Sequence, residues 1–158
     1  MRFFLVDRVD ELRPGEAVRG VKNITLSEDW CGDHFPDHPL YPGTLIVEAL
    51  AQLGGFLVEC SVRSGAADLR RAMLGQIEKA KFHRPCRPGD QVELRCKLLS
   101  TLEGAAQVEG EALVRGERAA RATLTFRLVS VESARVHQQR AELYRQWTQE
   151  LKTPVTIP

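Results

Sequence analysis

An α+β domain, with an antiparallel sheet packed on one long helix, is the fold class that this sequence predicts. Three observations carry that expectation. One stretch of helical length, Gly43 to about Glu59, is apolar on every face, as a helix buried on all sides must be. After it, from Met73 to Val131, apolar and polar residues alternate in runs separated by turn signals, the pattern of consecutive antiparallel strands. The 158 residues hold 43% hydrophobic side chains and no internal linker, enough for one core and too apolar for a disordered chain.

Taken in order, Phe3 to Val9 is rich in Phe, Leu and Val and reads as a strand, and Arg13-Pro14-Gly15 as a turn. Ala17 to Leu26 alternates loosely, with Val18, Val21 and Ile24 expected to face inward. Between Ser27 and Pro42 three prolines (Pro36, Pro39 and Pro42) forbid regular structure and predict a loop. Pro42 stands where a first-turn proline is tolerated, at the mouth of the long helix. Ser61 to Arg71 is polar and predicts a loop. Strands are then expected over Leu74–Phe82 and Val92–Ser100, followed by a hairpin of Gln107–Val114 and Ala119–Val129 about Arg115-Gly116-Glu117. Val131 to Lys152 is charged and helix-prone, and predicts a surface or subunit-packing helix. The division expected is a domain over residues 1–131 and a helical extension and tail over 132–158.

Charge excludes some classes of function. Basic and acidic residues number 22 and 21, so nothing in the net charge points to nucleic acid or an anionic membrane as partner. Cys31, Cys60, Cys86 and Cys96 form no CxxC pair, and so predict reduced thiols with neither a metal site nor a disulfide frame. The N-terminus reaches Asp7 and Arg8 after four apolar residues, too few for a signal peptide, and the apolar stretch at 44–58 is broken by Glu48 and Gln52. A soluble, cytoplasmic protein is expected.

The chemistry concentrates in Asp33-His34-Phe35-Pro36-Asp37-His38-Pro39-Leu40-Tyr41-Pro42-Gly43 and the helix that follows. Glu48 lies in the second turn of that apolar helix. An unpaired buried carboxylate costs about several kcal/mol, so Glu48 must pair, open onto a cleft or stay protonated, and a protonated carboxyl is what a general acid needs. His34 sits in a proline-stiffened loop and is suited to accept a proton near neutrality. The Gly43 N–H lacks an intrahelical acceptor, lies at the positive end of the helix dipole and has no side chain to block an approaching carbonyl. Base, acid and oxyanion donor together suit proton abstraction beside a carbonyl with loss of a β-hydroxyl.

The string HFPDHPLYPGTLIVEALAQLGG resembles the signature of the bacterial 3-hydroxyacyl-acyl-carrier-protein dehydratases. It has a His-Phe-Pro loop, a Pro-Gly pair whose glycine lies nine residues after the histidine, and an acid five residues further on. FLVDRVDELRPGE before it and IEKAKFHRPCRPGDQVEL after it extend the resemblance over residues 3 to 130. The resemblance implies a hot-dog fold, in which the sheet wraps the central helix. It implies a homodimer whose sites combine the histidine of one subunit with the acid of the other, a hexamer being left open, and no metal or organic cofactor. His34 would remove the C2 proton, Glu48 protonate the departing hydroxyl, and the Gly43 N–H hold the thioester carbonyl. Glutamate at position 48 resembles the branch that dehydrates without isomerising. Phe35, Tyr41 and Pro42 would line the substrate path, with Tyr41 narrowing it or packing. Lys79 and Lys81 alternate with His83 along a strand, with Arg84 and Arg87 in the turn beyond. They are expected to dock the acidic acyl carrier protein. Asp33 and Asp37 stand where the family commonly has glycine, a usual segment ahead of the first strand is absent, and the stretch after Ser130 is additional. Two other readings stay open. A hot-dog thioesterase would use the helix acid but has no need of His34, and a non-catalytic acyl-binding subunit would need neither residue.

Overall fold

The computed structural model describes residues 3–62, 70–153 and 155–158. Six antiparallel strands form one sheet in the order β1-β2-β4-β5-β6-β3: β1 is Arg8–Arg13, β2 Ala17–Asn23, β3 Arg70–Phe82, β4 Gln91–Leu102, β5 Ala105–Val114 and β6 Glu117–Ser130. Helix α1, Gly43–Ser61, packs against five of these strands, and helix α2, Ala134–Trp147, follows the sheet. Alternation sets which strand faces meet α1. Val92, Leu94 and Cys96 of β4 are buried, as are Val108, Gly110 and Ala112 of β5, while the residues between them are more exposed. Extra residues interrupt the ladders at Gly75 and Glu78 of β3 and at Leu99 of β4, and such bulges increase the bend a sheet needs to wrap a helix. Contact is close at Gly110, where a Cβ would stand 3.1 Å from the Cβ of Leu50, so a side chain there would push the helix off the sheet.

Helix α1 is long and apolar enough, by length and composition, to cross a membrane. Here its apolar residues are the core: Leu50, Leu53, Phe56, Leu57 and Val58 are fully buried.

Several expectations change. The first strand is Arg8–Arg13, so most of the segment Phe3 to Val9 leads into the sheet instead of joining it. Its Leu5 and Val6 are nevertheless buried, which explains the strand-like composition. The proline loop opens with a 3-10 turn over Asp29–Gly32, ahead of the prolines. Arg70 and Arg71 begin β3 and are not loop; the other residues of that expected loop from 63 to 69 lie outside the described ones. His83 lies past the end of β3, with its N–H bonded to the Ala119 carbonyl, so it does not continue the alternation of Lys79 and Lys81.

Helix α2 is no mere surface helix. Leu143, Tyr144 and Trp147 are buried, and the Tyr144 ring lies 4.5 Å from that of Phe56 on α1. Beneath them Glu59, its side chain 1% exposed, accepts from Arg71 Nη1 (2.8 Å), the Tyr144 hydroxyl (2.8 Å) and the Ala72 N–H (3.0 Å). Arg71 Nε also donates to His137 Nδ1, whose other ring nitrogen donates to the Val131 carbonyl. Burial and the Glu59 carboxylate raise the Tyr144 phenol well above its ordinary pKa. A buried charge satisfied from both β3 and α2 fastens the extension to the domain.

Candidate functional site

The proline loop braces itself around His34. The His34 N–H donates to the Trp30 carbonyl (2.9 Å), and the Leu40 N–H donates back to the His34 carbonyl (2.8 Å). Phe35 and His38 exchange both backbone hydrogen bonds. The His34 ring is half-buried, and its Nδ1 lies 2.8 Å from the Leu40 carbonyl oxygen. A carbonyl can only accept, so Nδ1 carries a proton and, in the neutral ring, the lone pair is on Nε2. Phe35 stacks on the imidazole at 4.2 Å between centroids and is itself half exposed. The loop therefore presents an imidazole oriented through Nδ1 with an apolar ring beside it.

Pro42 caps α1 with an extended ψ of 127°, and its carbonyl accepts from Leu45 and Ile46. Gly43 is the first helical residue, which leaves its N–H without an intrahelical acceptor. Its lack of a side chain has a second reason that the sequence reading missed. A Cβ on Gly43 would lie 2.8 Å from the ring of Phe82, at the end of β3. Phe82 is 54% exposed and walls the helix mouth.

Glu48 is half-buried. Its Oε1 accepts from Gln52 Nε2 at 2.9 Å, one turn along the helix. Of the three alternatives open to it, the structure supplies a neutral hydrogen-bond donor in place of a cation. Gln52, which the sequence reading treated only as a break in the apolar stretch, is oriented by the backbone. Its Oε1 accepts from the Leu5 N–H (2.9 Å) and its Nε2 donates to the Phe3 carbonyl (3.1 Å), so the amide cannot flip. Its spacing of four from Glu48 was the available signal. Because Oε1 of Glu48 is an acceptor, a proton on this carboxyl resides on Oε2. Among the described residues no hydrogen bond joins Glu48 to His34 within the chain.

Tyr41 is buried and packs edge-on against Trp30, 5.2 Å between centroids. Its N–H bonds the Cys86 carbonyl, and its hydroxyl has no hydrogen-bond partner among the described residues. Burial, with Glu28 and Asp7 nearby, pushes the phenol above its ordinary range. Within the chain its ring packs in the loop beside Trp30.

Lys79 and Lys81 pair across the ladder with Thr123 and Arg121, and all four line a cleft of about 220 Å³. Arg84 is tied to Glu117 and Arg121 to Glu109, while Lys79 and Lys81 make no salt bridge among the described residues. Arg87 is exposed in the turn, its backbone N–H held by Asp90. The larger concavity on the charged outer face of β1, β2, β4 and β5, about 820 Å³, includes neither His34 nor Glu48. No group of three or more metal-ligating side chains occurs among the described residues.

An antiparallel sheet of this order curved around one central helix, with a histidine loop feeding that helix, is the hot-dog fold. The sequence model of the FabA-like domain family matches residues 1–123, and the chain belongs to that family. It is 44% identical over 130 residues to the 3-hydroxyacyl-acyl-carrier-protein dehydratase FabZ of Nitratidesulfovibrio vulgaris strain Miyazaki F, covering 82% of this chain and 84% of that protein. It is 41% identical over 122 residues to the FabZ of Syntrophotalea carbinolica, covering 77% and 82%. The structure is similar to smu.793 from Streptococcus mutans bound to acetyl CoA, with a TM-score of 0.64 at 16% identity, over 84% of this chain and 96% of that one. At that identity the likeness concerns the fold alone. The family match ends inside β6, so α2 lies beyond it.

Proposed function

We propose that this protein dehydrates 3-hydroxyacyl thioesters carried on acyl carrier protein to trans-2-enoyl thioesters, in the synthesis of fatty acids or related lipids. The observation that carries the reading is a histidine held with Nε2 basic, in a chain that also sets a carboxyl in its core helix and matches curated dehydratases over most of its length. His34 Nε2 takes a C2 proton while the Gly43 N–H stabilises the charge growing on the thioester oxygen. The electron pair forms the C2–C3 double bond, the C3–O bond breaks, and Glu48 Oε2 delivers its proton to the departing hydroxyl, which leaves as water. Proton exchange with solvent then returns His34 to neutrality and Glu48 to its acid form. No metal or organic cofactor enters this sequence.

The acting unit is a homodimer whose two sites each take His34 from one subunit and Glu48 from the other. Its support is β3, which lies at the edge of the sheet and exposes Met73, Ile77 and Phe82. An apolar edge strand is a template for pairing with another strand, and a second copy of β3 matches it. The Lys79–Lys81 cleft suits an acidic carrier, with Arg84 and Arg87 at its margin, and Phe35, Tyr41 and Pro42 border the acyl path. The enzyme works in the cytoplasm.

The test follows enoyl absorbance in the ultraviolet as purified protein acts on a 3-hydroxyacyl thioester. His34→Ala and Glu48→Gln are each expected to lose at least about a hundredfold in rate. Mixing the two variants lets heterodimers form with one intact site, and activity should return. Retained activity in both single variants refutes the catalytic pair, and failure to regain activity in verified heterodimers refutes the shared site. A wild type inert toward carrier and coenzyme A thioesters of several lengths supports the non-catalytic reading instead.

A further inference from the structure

Lys22 belongs to β2, where alternation puts it on the same face as Val18 and Gly20. That face meets α1: a Cβ on Gly20 would stand 3.3 Å from Leu53. A lysine on the core side of a sheet needs a partner, and Lys22, 7% exposed, has a close one. Its Nζ lies 2.7 Å from Glu28 Oε1 and 3.9 Å from Asp7 Oδ1. The other oxygen of Glu28 accepts from the Trp30 indole N–H. The Trp30 carbonyl in turn holds the His34 N–H, and the Trp30 ring packs on Tyr41, immediately before Pro42 and Gly43.

We propose that the buried Lys22–Glu28 ion pair is a positioning device for His34, acting through Trp30. The inference rests on His34 being the base. Lys22 touches no reacting atom. Its charge keeps Glu28 turned inward, Glu28 keeps the indole in place, and the residue bearing that indole holds the backbone of the base. The same tryptophan steadies Tyr41, so one anchor in the sheet aligns both the histidine loop and the mouth of α1. Charge is what makes the anchor stiff, because neither partner can leave the pair without stranding the other in a poorly hydrated place.

Lys22→Met removes the charge at nearly constant volume, and Lys22→Arg keeps it. Lys22→Met should lower kcat roughly tenfold or more, since small displacements of a catalytic group are costly, with KM within about twofold, and Lys22→Arg should restore most of the rate. Added to His34→Ala, Lys22→Met should change the residual rate less than about twofold, because the group it positions is gone. Nitrogen NMR of the His34 imidazole gives an arm independent of turnover. The wild type should show Nδ1 protonated, and Lys22→Met a mixture of tautomers while circular dichroism shows the fold intact. An unchanged kcat and imidazole spectrum in Lys22→Met overturns the proposal, as does an equal loss of rate with and without His34, which marks a general effect on the folded fraction. If His34→Ala itself stays active, the base assignment fails, and the imidazole spectrum alone decides whether Lys22 orders the loop.

Discussion

Replacing Gln52 with leucine removes three hydrogen bonds at one stroke: to Glu48, to the Phe3 carbonyl and from the Leu5 N–H. The losses are unequal. Phe3 is half exposed, and water can replace the amide at its carbonyl. Leu5 is buried, so its N–H is stranded at a cost of about 1–3 kcal/mol. The bond to the Glu48 carboxyl adds about 1 kcal/mol or somewhat more. A total of roughly 2–4 kcal/mol corresponds, for a chain of this size, to a fall in Tm of about 5–15 °C. Glu48 also loses the group that fixes its rotamer, and kcat should fall by roughly tenfold or more. Gln52→Glu separates the two effects. Its carboxylate still accepts from Leu5 but offers Glu48 Oε1 an acceptor in place of a donor, so more of the stability should survive than of the rate. Differential scanning calorimetry and the enoyl absorbance assay measure both quantities. A Gln52→Leu protein that melts within about 2 °C of wild type and keeps its kcat refutes the role given to this amide.

Arg71→Met leaves the buried Glu59 carboxylate without its cation, and should cost about 3–5 kcal/mol in urea unfolding. Adding Glu59→Gln should recover much of that loss, and a single variant within about 1 kcal/mol of wild type contradicts the anchoring of α2. Burial pushes the thiols of Cys60 and Cys86 up to about 12 and about 11. Both should resist a thiolate-specific reagent at pH 8 until the protein unfolds, and rapid labelling of the native form counts against this. Because the folded values lie above an unfolded value near about 8.5, these thiols favour the fold fully below that pH. Their contribution is lost as pH rises toward 11 and 12, which a urea series across alkaline pH tests. Replacing Lys79 and Lys81 together by glutamate should raise KM for carrier-bound substrate roughly tenfold and flatten its salt dependence, leaving KM for a short free thioester unchanged. An unaltered KM on the carrier removes these lysines from docking.

Much of the fold was legible because its signals are local. The all-apolar stretch from Gly43, the alternation of Val92, Leu94 and Cys96, and the Arg115-Gly116 turn, with positive φ at both residues, each write their structure within one continuous stretch of the chain. The phase of the first strand was not, since Leu5 and Val6 are buried whether they pair in a sheet or pack beneath one. Helix α2 was read as a surface or subunit-packing helix because most of its residues are polar, and burial of Leu143, Tyr144 and Trp147 depended on Phe56 lying opposite.

By itself, then, the sequence determined the fold class, the family and the positions of the candidate base, acid and oxyanion donor, because the motif is contiguous and spacing along one loop and one helix is enough to read it. Only the tertiary structure decided how those groups are held. The Leu40 carbonyl selects the tautomer of His34, Gln52 meets Glu48 and the backbone of residues 3 and 5 together, Phe82 closes on Gly43, and Lys22 finds Glu28. The contacts of Gln52 with residues 3 and 5 and of Phe82 with Gly43 join parts of the chain far apart in sequence. Local patterns carry no record of them, because hydrogen bonds and ion pairs depend on distances that exist only after the sheet has curved around the helix.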